Sequence, residues 1–174
     1  MSKYDNIDME KVNAIKLHVE NSSNQMDSIV DDIITTYVEE LDDCVAHIDE
    51  RLCDKQNPPT DDELDKFCMN LGTLIYFAGS MCEKLGIRDD IAKAVYKETY
   101  NNTRDGITKG TVQDKNTLAE LASQQEQLVS VCYTRAYKIV KSKVDNAQEL
   151  LTGIKKVISR RMQEQQLTQI NGGR

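Results

Sequence analysis

The chain has 174 residues, of which 39% are hydrophobic, and a formal net charge of −7. This composition allows a folded core, and no apolar run approaches the ~20 residues that a membrane-spanning helix needs. The first residues, MSKYDNIDMEKVN, have no apolar signal segment, and the odd number of cysteines shows neither zinc-site nor disulfide spacing. We therefore expect a cytoplasmic, all-α protein without a membrane, metal or cofactor requirement.

Two helices are predicted within the first 52 residues. The first covers residues 9–20 with Asp8 as its N-cap, and the segment NSSN (21–24) is expected to form a turn. The second helix carries apolar residues at helical spacing from 26 to 52, and its opposite face is acidic. The prolines of KQNPPT (55–60) end it, because proline lacks a backbone donor.

A third helix is predicted to begin at a capping box formed by Thr60 and Glu63. Gly86 is its expected stop, and a short fourth helix should follow over residues 89–100. We thus expect residues 1–100 to form an acidic helical bundle. The next segment, NNTRDGITKGTVQDKN (101–116), lacks periodicity and is predicted to be a mobile polar loop.

Helical periodicity returns from residue 117 to about 166, with Gly153 as the one weak point and a frayed tail, QINGGR. About 50 helical residues would form a rod of ~75 Å, too long for a compact domain of this size. Its apolar stripe therefore needs another helix, either by folding back as a hairpin or by assembly with copies of itself. We favour a homo-oligomer, with these candidate interface residues: Leu128, Ile139, Val140, Leu150, Leu151, Ile154 and Ile158.

Charge divides the chain into two unequal halves. Residues 1–100 have a net charge of −12, whereas residues 101–174 have +5. Six basic residues of the long helix fall opposite its apolar stripe: Arg135, Lys138, Lys141, Lys155, Lys156 and Arg160. Lys143 and Arg161 lie nearer the stripe, where they must extend along apolar surface or sit at an interface. The basic face is a solvated surface, a phosphate-binding surface, or a docking face for the acidic second helix of a neighbouring copy.

Carboxylate pairs in the acidic helix raise the possibility of magnesium-dependent chemistry. Glu39 and Asp42, like Glu40 and Asp43, are spaced so that both could face one Mg²⁺. All-helical nucleotide pyrophosphohydrolases of the MazG type use such pairs, but the second motif of that family is missing here. We therefore predict a non-enzymatic protein without catalytic residues, and keep the hydrolase as the least favoured alternative.

Two stretches, AKAVYKETYNNTRDG (92–106) and ELASQQEQLVSVCYTRAYKIVKSKVDNAQELLTGIKKVISRR (120–161), resemble phage recombination mediators of the UvsY type. That family consists of small helical proteins that load a recombinase onto single-stranded DNA and assemble through a C-terminal helical region. The resemblance implies DNA-backbone contacts by Lys93 and Lys97, with Arg104 and Lys109 as neighbours. Tyr96 and Tyr100 lie beside them and could stack on bases.

The resulting hypothesis is an oligomeric, non-enzymatic, phage-encoded protein that binds single-stranded nucleic acid and assists a recombinase or replication factor. Besides the residues implied by the resemblance, we assign nucleic-acid binding to Lys155, Lys156, Arg160 and Arg161. The main alternative is a structural, assembly or host-interaction protein, for instance an inhibitor whose acidic helix mimics the charge of DNA.

Overall fold

The computed structural model describes residues 9–172 and contains four α-helices there. They are α1 (Met9–Cys53), α2 (Asp61–Gly106), α3 (Val112–Ala122) and α4 (Gln124–Gly172). The predicted all-α helical bundle is confirmed. The proposed Asp8 cap lies outside the described residues, as do the last two residues of the predicted frayed tail, whereas α4 includes the preceding residues to Gly172.

Two predicted breaks in the N-terminal half are wrong. Helix α1 runs through residues 21–24 without a turn, and α2 continues through Gly86 to Gly106. Serine and asparagine in a helix are only mildly unfavourable, and one glycine costs ~1 kcal/mol, which packing can offset. At Gly86 the absence of a side chain serves packing, since a Cβ there would lie 3.2 Å from Cε2 of Tyr137.

The predicted loop over 101–116 is also wrong for most of its length, because only residues 107–111 separate α2 from α3. Gly110 adopts a φ of +111°, which favours glycine. Thr111 then caps α3 through a reciprocal pair of hydrogen bonds with Asp114. The predicted capping box of Thr60 and Glu63 at the start of α2 is confirmed.

Helices α3 and α4 are separated by the single residue Ser123. Its hydroxyl donates to the carbonyl oxygen of Ala119 at 2.8 Å, so the residue remains hydrogen-bonded although its backbone leaves the helical conformation. Downstream, α4 passes through Gly153 without interruption. The chain from residue 112 to residue 172 is therefore helical almost throughout.

Helices α1, α2 and α4 contain 45, 46 and 49 residues and pack side by side. Helix α2 runs antiparallel to the other two. Its contacts with α4 are Asp61–Arg161 and Asp89–Thr134, and its contacts with α1 are Glu63–Arg51 and Arg88–Tyr37, so in both pairs the residue numbers run in opposite directions. Each helix is about 70 Å long at 1.5 Å per residue. The long C-terminal helix therefore has two partners of its own length within the chain, and the inference that it must outrun its domain is wrong.

The core lies along the line where the three long helices meet. Its fully buried members include Ile48 of α1, Leu64, Leu71 and Leu85 of α2, and Val140 of α4. None of the helices in residues 9–172 has a stretch that is both long and apolar enough to cross a membrane.

Candidate nucleic-acid interface

Helix α4 carries an exposed basic face, which we define as Lys138, Lys141, Lys155, Lys156 and Arg160. Between residues 138 and 160 this face extends ~33 Å along the helix. Asp145 and Glu149 lie between Lys141 and Lys155 and divide it into two patches. The arrangement can accept two stretches of a phosphate backbone, one on each patch.

Electrostatic contacts show that part of the basic face borders α2. Burial raises the pKa of the Cys68 thiol, and the nearby charge of Lys155 opposes that rise. Burial likewise raises the pKa of Cys82, and there Lys141 acts in the opposite direction. Both cysteines belong to α2, so the electrostatic influence of these two lysines extends to that helix.

The basic face is nearly free of ion pairs within residues 9–172. Only Arg160 forms one there, with Glu164, and the two atoms Nε and Oε1 are 3.9 Å apart with both side chains exposed. An exposed pair of this kind contributes ~0–1 kcal/mol and is easily exchanged for a phosphate.

Arg161, which the sequence assigns to the same site, has a different role in the bundle. Its guanidinium donates to the carbonyl oxygen of Pro59 and to Oδ1 of Asp61, both at 2.9 Å. Lys143 similarly bonds Oδ2 of Asp42 at 2.6 Å. The predicted placement of Lys143 and Arg161 at an interface is thus seen, and the interface lies within the chain.

The residues implied by the family resemblance lie at the other end of the bundle. Lys93 is bonded to Asp89 at 2.6 Å, and Arg104 to Asp105 at 3.2 Å, whereas Lys97 and Lys109 are exposed and have no ion pair among the described residues. Since α2 and α4 are antiparallel, the C-terminal half of α2 lies beside the start of α4, ~40 Å from Lys155. The structure therefore does not gather the predicted nucleic-acid residues into one site.

The two tyrosines beside Lys97 form a pair. The ring centroids of Tyr96 and Tyr100 are 6.4 Å apart, and both residues are half-buried. Their rings are partly accessible, so stacking on a base stays a prediction for this end of the bundle.

The candidate oligomer residues differ in accessibility. Val140 and Ile154 belong to the buried core, and Leu150, Leu151 and Ile158 pack against it, so α1 and α2 of the same chain already cover them. Leu128 and Ile139 are exposed. The stripe proposed to join copies of the chain is therefore mostly used inside one copy, and assembly itself stays a prediction.

A buried polar network on α2 escaped the sequence reasoning. Asp89 is only 3% exposed and accepts hydrogen bonds from Lys93 and from Thr134 of α4, each at 2.6 Å. Burial alone would raise its pKa, but these two hydrogen bonds and the charges of Lys93 and Lys138 lower the pKa below its usual value. The only signal was an acid on an apolar helix face.

The predicted carboxylate pairs of α1 do not gather into a metal site. Within the described part of the chain, no group of three or more His, Cys, Asp or Glu side chains is arranged to hold a metal ion. Asp42, one member of the pairs, is bonded to Lys143 instead.

Comparisons with family models, with curated proteins and with solved structures found no match for this chain.

Proposed function

We propose that this protein binds single-stranded nucleic acid through the basic face of α4 and assists a recombinase or replication factor as a non-enzymatic oligomer. The observation that carries the proposal is the exposed set of five cations, of which four have no ion pair among the described residues. The resemblance to recombination mediators of the UvsY type supplies the expected partner and the phage origin.

Affinity would come mainly from phosphate neutralisation. Each cation that displaces counterions from a single strand contributes about 0.7 to the slope of log K against log salt. The two patches on one helix allow one strand to contact both, which favours a long, flexible ligand. Copies of the chain in an oligomer would multiply these contacts through their high effective concentration.

The acidic face of α1 has a distinct place in this proposal. It belongs to a different helix from the basic face and includes exposed Glu39, Glu40 and Asp43. Carboxylates repel phosphate, so this face would keep nucleic acid on α4 and could dock a basic protein partner.

A fluorescence-anisotropy titration with a labelled single-stranded oligonucleotide, at low and at moderate salt, tests the proposal. We expect binding at low salt that weakens as salt rises. Reversing the charge of Lys155, Lys156 and Arg160 together should lower the magnitude of the salt slope by about 2. Far-ultraviolet circular dichroism checks that the helical content of the variant is unchanged.

A single charge reversal provides the matched control. Lys115→Glu changes the net charge as much as Lys156→Glu, but Lys115 lies on α3, far from the C-terminal patch. Lys156→Glu should weaken binding several-fold more than Lys115→Glu. The absence of low-salt binding, an affinity independent of salt, or equal effects of the two variants would each contradict the proposal.

A second candidate function is a structural or host-interaction protein whose α1 mimics the charge of DNA. It is favoured by the exposed acids along one helix: Asp27, Asp31, Asp32, Glu39, Glu40, Asp43, Asp49 and Glu50. Under this alternative the protein would inhibit a DNA-binding enzyme in a salt-dependent manner, and it would not bind the labelled oligonucleotide. Reversing the charge of Glu39 and Glu40 would then relieve the inhibition.

A further inference from the structure

The N-terminal part of α1 extends beyond α4. The bond between Asp42 and Lys143 fixes how these two parallel helices align, and it places Gln124, the start of α4, level with about residue 23 of α1. Every side chain described between residues 10 and 25 is exposed. About 20 Å of α1 therefore projects past the first turn of α4.

This projecting segment continues the apolar stripe that packs into the core farther along α1. Val12, Ile15 and Val19 are spaced i, i+3, i+7 and are between 43% and 64% exposed. The same heptad spacing leads on to Met26 and Ile33, which pack against the core. Because α1 is continuous from Met9 to Cys53, its first part cannot fold back onto its own bundle.

An apolar groove lies at the same end of the bundle as this exposed stripe. The groove, about 520 Å³ in volume, runs between α2 and α4 and is lined by Ile91, Val95, Val129 and Tyr133, with Arg88 and Glu126 at polar positions. Val129 and Tyr133 also line a second apolar groove of about 580 Å³ between α4 and α1. We call the groove between α2 and α4 the distal groove.

Glu126 places a carboxylate at the distal groove. Among the described residues its buried Oε2 has no hydrogen-bond partner, and such an oxygen is costly. A donor brought by an occupant of the groove would bond this carboxylate, and a cation would stabilise it best. An occupant that combines an apolar stripe with an adjacent positive charge fits this description.

The geometry points to the projecting segment of α1 from a second copy of this chain as the occupant of the distal groove. Its stripe of Val12, Ile15 and Val19 would pack on the apolar walls. Lys16 flanks the stripe, four residues after Val12, and would reach Glu126. Within the described part of one copy, Lys16 makes an exposed ion-pair contact of 3.9 Å with Glu20, which is readily exchanged.

Two copies can make this contact twice around a two-fold axis, since each has both a segment and a groove. A helical segment of ~20 Å by ~10 Å covers roughly 200 Å² in projection on each side of one contact. The reciprocal pair then buries roughly 800 Å² in total, the size of a weak, transient interface. The dimer should accordingly be concentration-dependent. This interface is separate from the basic face and does not rest on nucleic-acid binding.

Sedimentation or light scattering without nucleic acid, across a wide range of protein concentration, is the first test. The mass should rise from one chain of 19.8 kDa towards two. Ile15→Asp combined with Val19→Asp should shift the midpoint at least tenfold to higher concentration. Leu17→Asp is the matched control, because Leu17 is equally exposed on the same segment but lies off the stripe.

A charge exchange tests the specific pairing. Lys16→Glu and Glu126→Lys should each weaken the dimer, and the double variant should restore it. All these positions lie outside the buried core, so helical content should not change. A monomer at every concentration, a mass unaffected by Ile15→Asp with Val19→Asp, an equal effect of Leu17→Asp, or no restoration in the double variant would overturn the inference.

Discussion

Replacing Gly153 by alanine tests whether α4 is a regular helix at the position where the sequence is weakest. Gly153 lies inside α4, and a Cβ added there would meet no heavy atom within 4 Å. Glycine inside a helix costs ~1 kcal/mol relative to alanine, because glycine loses more conformational freedom than alanine when the chain folds. With nothing in the structure to oppose it, Gly153→Ala should raise the free energy of unfolding by about 0.5–1 kcal/mol. For a chain of this length, that corresponds to a rise in Tm of about 1–4 °C.

Thermal and urea unfolding followed by far-ultraviolet circular dichroism measure this change. Gly86→Ala is the matched control, since it makes the same chemical change inside α2 where a Cβ would lie 3.2 Å from Cε2 of Tyr137. The ring must shift to make room, so the gain at Gly86 should be smaller than at Gly153 or reversed. A lower Tm for Gly153→Ala would refute the reasoning, because it would require a non-helical backbone at that position.

Three further predictions concern the core, the first turn of α2 and the buried network. Leu71→Ala should lower the free energy of unfolding, measured by urea titration, by about 2–5 kcal/mol, because Leu71 is fully buried. Met69→Ala, on the exposed side of α2, is the control and should change the free energy of unfolding by less than about 0.5 kcal/mol. The pKa of Glu63 is lowered to about 2 by hydrogen bonds from the backbone N–H of Thr60, the guanidinium of Arg51 and the Thr60 hydroxyl. The stability that Glu63 contributes is therefore complete above the ordinary glutamate pKa and is lost as the pH falls towards 2. Over that pH range, the unfolding of Glu63→Gln should depend less on acid than that of the unmodified protein. Thr134→Val removes a hydrogen bond to the buried Asp89 carboxylate and should lower the free energy of unfolding by about 1.5–3 kcal/mol. An NMR titration of the variant should also show a higher pKa for Asp89, and an unchanged pKa would contradict this account.

The helices themselves followed largely from local sequence. The prolines at 58 and 59, the capping box at Thr60 and the apolar periodicities place one helix end, one helix start and the buried faces where the structure has them. Helix continuity was harder to predict. The segment 21–24 and Gly86 have the residues of a turn and a stop, but neither outweighs long packed faces on both sides.

The candidate site depended more strongly on tertiary structure. The helical wheel correctly separated the exposed cations of α4 from Lys143 and Arg161, because distance from the apolar stripe is a local property. Which acid each cation meets is not local: Lys143 bonds a residue 101 positions away, and Arg161 one 100 positions away. Such pairs depend on how the helices align, which sequence periodicity leaves open.

The sequence by itself determined an all-α chain with an acidic N-terminal part and a basic face on its last helix, because helical periodicity and charge depend only on the local order of residues. Only the tertiary structure decided that the last helix is covered by two helices of equal length from the same chain. Helix packing requires matched lengths and faces, and those lengths became known only when the two expected breaks in α1 and α2 proved absent. The same alignment leaves the described side chains of the first part of α1 exposed, beyond the start of α4.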